Sequence, residues 1–186
     1  MAFEAYLYVE GVQADSTSAI GLKPPSQVVI PAGAGPIEIK TFGLGIEMPM
    51  VENRSATGAA TIGRANFEPF DTEKSLDTST AALMFFCLSG KHINKAVVAV
   101  YRATGEDTSA GKSQLYLKIT YGGVIITEVG VNSGGADEMP SETLKFDYAE
   151  VEYVYYKTNA TTGKAEGGIA SFKWNRVANS GEKFIS

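Results

Sequence analysis

The most informative segment of the sequence is LYLKITY, residues 115–121. Its side chains Leu115, Leu117, Ile119 and Tyr121 alternate with residues that tolerate contact with water. A period of two places successive side chains on opposite faces of an extended chain, which is typical of a β-strand with one buried face. The segment therefore predicts a strand that turns one face toward a core.

Similar alternation recurs on both sides of this segment and predicts a mainly β fold. Gly122-Gly123 follows directly and is a two-residue hairpin signal, so residues 124–132 are expected to return antiparallel. In the stretch 144–157 the apolar phase flips, which predicts a β-bulge near Ala149-Glu150. Further strands are predicted over residues 3–9, 28–31, 36–45, 61–70, 93–103 and 169–177.

One segment breaks the alternation and predicts a single α-helix of roughly three turns. Residues 81–88 are almost all apolar, Asp77, Thr78 and Ser79 precede them as capping residues, and Gly90 follows as a helix terminator. A helix that is apolar on nearly every side must be covered on most of its faces. Part of that cover is expected to come from another subunit.

Length and composition limit the function classes. The chain has 186 residues, which predicts one domain over residues 1–186. Its net charge is −5 and it contains no run of Lys or Arg, which argues against nucleic-acid binding. No stretch approaches the roughly 18 consecutive apolar residues of a membrane helix, so no membrane insertion is expected. The first residues lack the basic and apolar regions of a signal peptide, so we expect a cytoplasmic protein that is exported without one.

No catalytic, cofactor or metal site is predicted. Residues 105–113 resemble a phosphate-binding loop, but five residues separate the glycines instead of four, and a strand pattern follows where a phosphate site needs a helix. Cys87 and His92 are the single cysteine and histidine, too few for a zinc site. Glu150 and Glu152 share one face of a predicted strand and are interpreted as surface charge, not as an acid pair across a substrate.

The region 45–60 is too long for an ordinary connection, which usually has about 4–6 residues. It contains Ile46, Met48 and Met50, apolar residues that a solvated loop would not need. Two interpretations remain open at this point: a binding arm, or a loop folded over its own domain.

The order of motifs along the whole chain resembles the Hcp (haemolysin-coregulated protein) family of bacterial type VI secretion systems. The motifs are MAFEAYLYVEG at 1–11, GR at 63–64 followed by Phe67, KSLDTST at 74–80, GKHI at 90–93, PSE at 140–142, and the aromatic residues Tyr153 and Trp174. The set follows the order of the family's strands and its helix.

The resemblance implies a β-barrel of two antiparallel sheets flanked by one α-helix, a structural protein that is not an enzyme and needs no cofactor. It implies homo-hexameric rings that stack into a tube, with sheath proteins around it, a spike protein at its tip and effector proteins in its lumen. Export would then lead through the type VI secretion system to the extracellular space or a target cell. Met48, Met50 and Arg54 are the predicted contacts with a neighbouring ring or protomer, because Met and Arg are favoured in interfaces.

Three alternatives compete with this prediction. A phage-like tail tube protein would have the same physical design in another particle. A monomeric ligand-binding β-barrel would instead have a closed pocket lined by tyrosines. A small hydrolase on a β scaffold is the weakest alternative, because no pair of nucleophile and base can be named.

Overall fold

The computed structural model describes residues 3–49, 64–103, 113–133, 140–159 and 165–185. Over these residues the chain forms mainly β structure, as predicted. The strands are β1 (Phe3–Val9), β2 (Ile37–Ile39), β3 (Thr41–Gly43), β4 (Ile46–Glu47), β5 (Asn66–Phe67), β6 (Phe70–Ser75), β7 (Ile93–Ala103), β8 (Ser113–Asn132), β9 (Ser141–Asp147), β10 (Glu150–Thr158), β11 (Ala165–Asn175) and β12 (Ser180–Ile185). The helices are α1 (Ala19–Leu22) and α2 (Ser79–Ser89).

Ten of the strands belong to one branched antiparallel sheet. Its main path runs β12-β11-β10-β8-β7-β1-β2, and β9, β6 and β3 branch off the far end of β8. The predicted closed β-barrel is not shown, because the pairings among the described strands leave β2 and β12 as the two ends of the path. The prediction of one helix was also wrong, since the described residues form two helices, the short α1 and the longer α2.

The predicted hairpin at Gly122-Gly123 is a corner within one continuous strand, β8. The backbone of Gly123 has a positive φ of 61°, a conformation that glycine adopts without strain. The chain bends there instead of reversing, because β7 pairs past the corner, with Lys95 opposite Gly122 and Ile93 opposite Val124. A glycine pair permits either geometry, and the neighbouring strand selects the corner.

The predicted bulge near Ala149-Glu150 is the other half of the same corner. Burial does change phase there, since Tyr148 and Val151 both belong to the core. The residue pairing keeps one register across the break, however, with Glu150 opposite Gly122 and Asp147 opposite Ile125. No residue is inserted between Asp147 and Glu150. The change of buried face therefore results from a bend between β9 and β10 that follows the bend in β8.

Two apolar clusters hold the sheet. The larger one fills the space between the main path and the β3-β6-β9 branch, and Leu83 and Phe86 of α2 belong to it. The smaller one lies around Tyr6, Tyr8 and Tyr101, beneath the segment that carries α1. Tyr8 donates to the carbonyl of Gly21 at 2.8 Å, which ties that segment to β1.

The segment before β2 also corrects a predicted strand. Residues 28–31 do not form a strand, although Val28 is buried. The amide of Val28 donates to the carbonyl of Pro25 at 2.9 Å, a local turn that competes with sheet pairing. The predicted strand over 36–45 is divided into β2 and β3, and the predicted strand over 61–70 falls partly outside the described residues.

Helix α2 has the ends that the sequence predicts. Its N-cap is Thr78, whose side chain makes no cap bond, and the preceding Asp77 accepts a hydrogen bond of 2.8 Å at its Oδ1 from the amide of Ser79 in the first turn. Gly90 ends it in the left-handed conformation, at φ 60°, and its amide donates to the carbonyl of Cys87. The helix is therefore locally encoded at both ends.

Candidate protein interface

Strand β4, at the start of the region 45–60, pairs with β5 in a two-stranded ribbon that we call the arm base. Ile46 pairs with Phe67 and Glu47 pairs with Asn66, and the amide of Glu68 donates to the carbonyl of Gly45 at 3.0 Å. These two strands form a separate ladder, but β4 follows β3 and β5 precedes β6, and β3 pairs with β6 in the ten-stranded sheet. The arm base is therefore a short extension of the β3-β6 pair beyond a break in its ladder.

The side chains of the arm base border an apolar groove. Ile46 and Met48 are each 48% exposed, and together with Phe67 they face Phe172 and Trp174 of β11 across a cavity of about 510 Å³. Met48 is thus a surface residue, as its predicted role in an interface requires. The other two predicted contacts, Met50 and Arg54, lie outside the described residues.

A second uncovered apolar surface lies on helix α2. Leu83 and Phe86 point into the core, whereas Phe85 is 65% exposed and Leu88 is 88% exposed. A contiguous exposed apolar surface is typical of a protein that contacts other proteins. This agrees with the expectation that the single chain covers the helix only in part.

Three basic and aromatic contacts attach the arm base to the rest of the domain. Arg64 donates to the main-chain carbonyls of Arg176 and Val177, the latter at 3.3 Å. Phe67 meets Tyr148 edge to face, with ring centroids 6.4 Å apart. The hydroxyl of Tyr148 donates to the carbonyl of Glu68 at 3.3 Å. No sequence pattern points to Arg176, because only the folded chain brings it to the arm base.

The pKa of Tyr148 reflects its position in this contact. Burial raises it to about 12 and outweighs the lowering effect of the nearby Arg176 guanidinium, while the negative charges of Asp147 and Glu68 raise it further. The phenol is therefore a neutral hydrogen-bond donor at physiological pH.

Beneath the start of α2 lies a buried charged cluster formed by Lys74, Asp77, Thr80 and Glu142. Lys74 and Glu142 are fully buried, and their Nζ and Oε2 atoms are 3.2 Å apart. Lys74 also donates to Asp77 at 2.9 Å, and Thr80 donates to Glu142 at 2.5 Å. The cluster joins β6, β9 and α2, so it stabilises the fold and is not open to a ligand.

The remaining candidates from the sequence have structural surroundings. Residues 104–112 lie outside the described residues. Strand β8 begins at Ser113, so a strand follows this segment where a phosphate site would need a helix, as predicted. Glu150 accepts a hydrogen bond of 2.6 Å from Asn175, and Glu152 lies 3.8 Å from the Nζ of Lys118. Each carboxylate thus has its own polar partner on the sheet surface.

Among the described residues, no group of three His, Cys, Asp or Glu side chains could hold a metal ion. Within the same part of the chain, none of the helices has the length and apolar character needed to cross a bilayer.

A β domain with an apolar groove beside its arm base and exposed apolar side chains on α2 has surfaces suited to contacts with other proteins. Residues 28–155, more than half of the chain, match the family model described as "Type VI secretion system effector, Hcp". The chain therefore belongs to the Hcp family.

A curated relative and solved structures agree with this family. Protein hcp1 of Pseudomonas aeruginosa is 30% identical over 112 residues, which cover 60% of this chain and 65% of that protein, slightly less than two thirds of its length. A structure described as a type six secretion system protein has a TM-score of 0.79 at 20% identity and covers 97% of this chain and 100% of its own. The crystal structure of Hcp1 from Salmonella typhimurium has a TM-score of 0.70 at 18% identity, with 98% and 100% covered. At these identities the two structures show a common fold.

Membership in the family confirms two predictions from the sequence. Hcp proteins belong to the type VI secretion system, and they are structural tube proteins and not enzymes. The predicted family and the prediction that this chain is not an enzyme are thus confirmed by the match.

Proposed function

We propose that this chain is a subunit of the inner tube of a type VI secretion system, in which homo-hexameric rings stack along an axis. The single observation that carries the proposal is the arm base, whose exposed residues Ile46 and Met48 border an apolar groove. A contact that repeats around an axis gives a ring, and a different contact along the axis gives a tube. The arm and the exposed face of α2 supply two such surfaces.

The same proposal includes the partners and the route of the protein. Sheath proteins would surround the tube, a spike protein would sit at its tip, and effector proteins would occupy its lumen. The subunit would be a single domain over residues 1–186, made in the cytoplasm and exported through the secretion system.

The family's β-barrel belongs to this proposal as well. Only Lys40 separates β2 from β3, and its amide donates to the carbonyl of Glu73 in β6 at 2.7 Å. If β2 and β3 act as one bent strand, the path from β1 through β6, β9, β8 and β7 returns to β1. That circuit would enclose the larger apolar cluster.

The first test is the absolute mass in solution, by light scattering after size-exclusion chromatography. A mass near six times 19.8 kDa is expected, with annular particles in negative-stain images. A clean monomer at micromolar concentration and physiological salt would contradict the ring and favour the ligand-binding barrel.

The second test concerns the arm. The double substitution Ile46→Ser and Met48→Ser removes two half-exposed apolar side chains, so the protomer is expected to fold and form rings that stack into shorter assemblies. The matched control, Ile46→Val with Met48→Leu, keeps the apolar surface and is expected to stack like the parent protein. Equal tube lengths for the two variants would show that this surface does not mediate stacking.

A further inference from the structure

We infer that Arg176 is the residue that holds the arm base in place, because it ties the arm base to the corner of the sheet and to the C-terminal turn. The inference deepens the proposed function, since it rests on the arm being a stacking contact. It assigns Arg176 the role of a positioning residue, which acts on the interface through the residues that it holds.

Side-chain contacts matter here because the ladder of β3 and β6 breaks before the arm base. Gly43 pairs with Asp71, and pairing resumes with Ile46 opposite Phe67 in a ribbon of four residues. A two-stranded ribbon of this length is marginal by itself in water. Beyond the break, its position relative to the corner therefore depends in part on side-chain contacts.

The guanidinium of Arg176 contacts both sides of the junction. On the sheet side it donates to the carboxylate of Asp147 and to the carbonyl of Tyr148, which flank the corner between β9 and β10. On the arm side it lies 5.3 Å from the ring centroid of Phe67, and it is 4.9 Å from that of Tyr148. One planar cation thus holds the aromatic pair between arm and corner together.

The main chain of Arg176 is held at the same junction. Its amide donates to the carbonyl of Ala149 at 2.8 Å, which anchors the C-terminal turn to the corner. Its carbonyl accepts a hydrogen bond from Arg64, which lies two residues before β5. The amide and side chain of Arg176 thus contact the corner. Its carbonyl and side chain contact the arm base and the residues that lead into β5.

An arginine suits this geometry. Its Nη1 donates both to the Asp147 carboxylate and to the Tyr148 carbonyl, while the guanidinium carbon lies over the Phe67 and Tyr148 rings. A lysine ammonium is a compact point charge that can keep the ion pair but lacks the forked N–H groups and the delocalised cation of arginine. Arg176→Lys is therefore expected to retain only part of the effect.

The experiment is amide hydrogen exchange on the full chain, followed by mass spectrometry, for the parent protein, Arg176→Met and Arg176→Lys. Residues 45–49 and 64–68 are expected to exchange roughly three- to tenfold faster in Arg176→Met, with Arg176→Lys in between. The matched control is Arg102→Met. Arg102 also lies over an aromatic ring, 5.9 Å from the Tyr116 centroid, but it is remote from the arm, so exchange at the arm base should not change.

Two results would overturn the inference. One is unchanged exchange at the arm base in Arg176→Met. The other is an equal acceleration in β7, which would mean that Arg176 stabilises the whole domain and not the arm. Phe67→Leu is a second variant that keeps an apolar side chain but removes one ring, and it should accelerate exchange at the same peptides.

The exchange result is independent of assembly, so failure of the two proposals can be distinguished. If the parent protein is monomeric, the ring proposal fails while the exchange comparison still tests Arg176. If rings form, Arg176→Met is expected to give shorter stacks than Arg102→Met at equal thermal stability. Equal stack lengths would contradict a role for Arg176 in the stacking contact.

Discussion

At the residue scale, Lys74 and Glu142 form an ion pair in which both side chains are fully buried. The sequence marks residues 74–80 as a motif of the family, but it does not show that two charges in this region are fully buried. A Lys in an alternating strand is ordinarily a surface residue. Only the fold, which brings Glu142 of β9 against β6 and the start of α2, explains its position.

The first prediction at this scale concerns the removal of one partner. Lys74→Met leaves the buried Glu142 carboxylate without its cation and should lower the free energy of unfolding by about 3–5 kcal/mol. The double variant Lys74→Met with Glu142→Leu removes both charges and should recover much of that loss, since an apolar pair of similar size is often as stable. Urea denaturation of the parent, the single variant and the double variant measures both effects. A double variant as unstable as the single one would contradict the electrostatic explanation.

At the scale of elements, the sequence predicts best where a strand's own pattern is sufficient. β1 and β7 occur at the predicted bounds, because each carries a continuous apolar face that suits an extended chain. The glycine pair at 122–123 was assigned to a hairpin, because both a turn and a corner need a residue with positive φ and only the pairing of β7 past the corner distinguishes them. Strand β12 was not predicted, since all its side chains are exposed and no buried face generates a pattern.

Glycine substitutions test the corner directly. A Cβ on Gly123 would lie 3.0 Å from the Cβ of Ala149, whereas a Cβ on Gly90, at nearly the same positive φ, would meet nothing within 4 Å. Both Gly→Ala variants should lose about 1–2 kcal/mol of stability from backbone strain, and Gly123→Ala should lose more because of the contact. Adding Ala149→Gly should recover the excess, although it brings its own backbone cost. Equal losses for the two single variants would show that the corner tolerates a wider approach of its two strands.

At the scale of the whole molecule, the candidate interface also combines a residue that the sequence indicates with one that only the fold reveals. Met48 is visible in the sequence as an apolar residue in a long polar region, and its exposure allows the predicted contact, which stays a prediction. Arg176 could not be predicted, because its contacts with Asp147 and Phe67 span 29 and 109 residues of chain (176 − 147 and 176 − 67). A residue that positions an arm is thus visible only after the arm, the corner and the C-terminal turn have met.

The buried tyrosines give the whole molecule a sensitivity to alkaline pH. Burial raises the pKa of Tyr8, Tyr101 and Tyr121 well above the ordinary phenol value of 10.0, and it raises that of Tyr148 to about 12. Between pH 10 and 12 the folded chain keeps protons that the unfolded chain has released. The free energy of unfolding should therefore be unaffected by these groups below pH 10 and should fall above it, by up to about 1.4 kcal/mol per pH unit for each tyrosine.

Tyr101→Phe isolates one contribution to this loss. The Tyr101 hydroxyl is buried and has no hydrogen-bond partner among the described atoms, so its removal should cost little stability at neutral pH. At alkaline pH the variant should lose stability less steeply than the parent, because one group that binds a proton preferentially in the folded state is gone. Urea denaturation midpoints measured from neutral pH to above pH 10 make the comparison, with phenolate absorbance as an independent record of ionisation. Parallel curves for the two proteins would show that the ionisation of Tyr101 is not linked to unfolding.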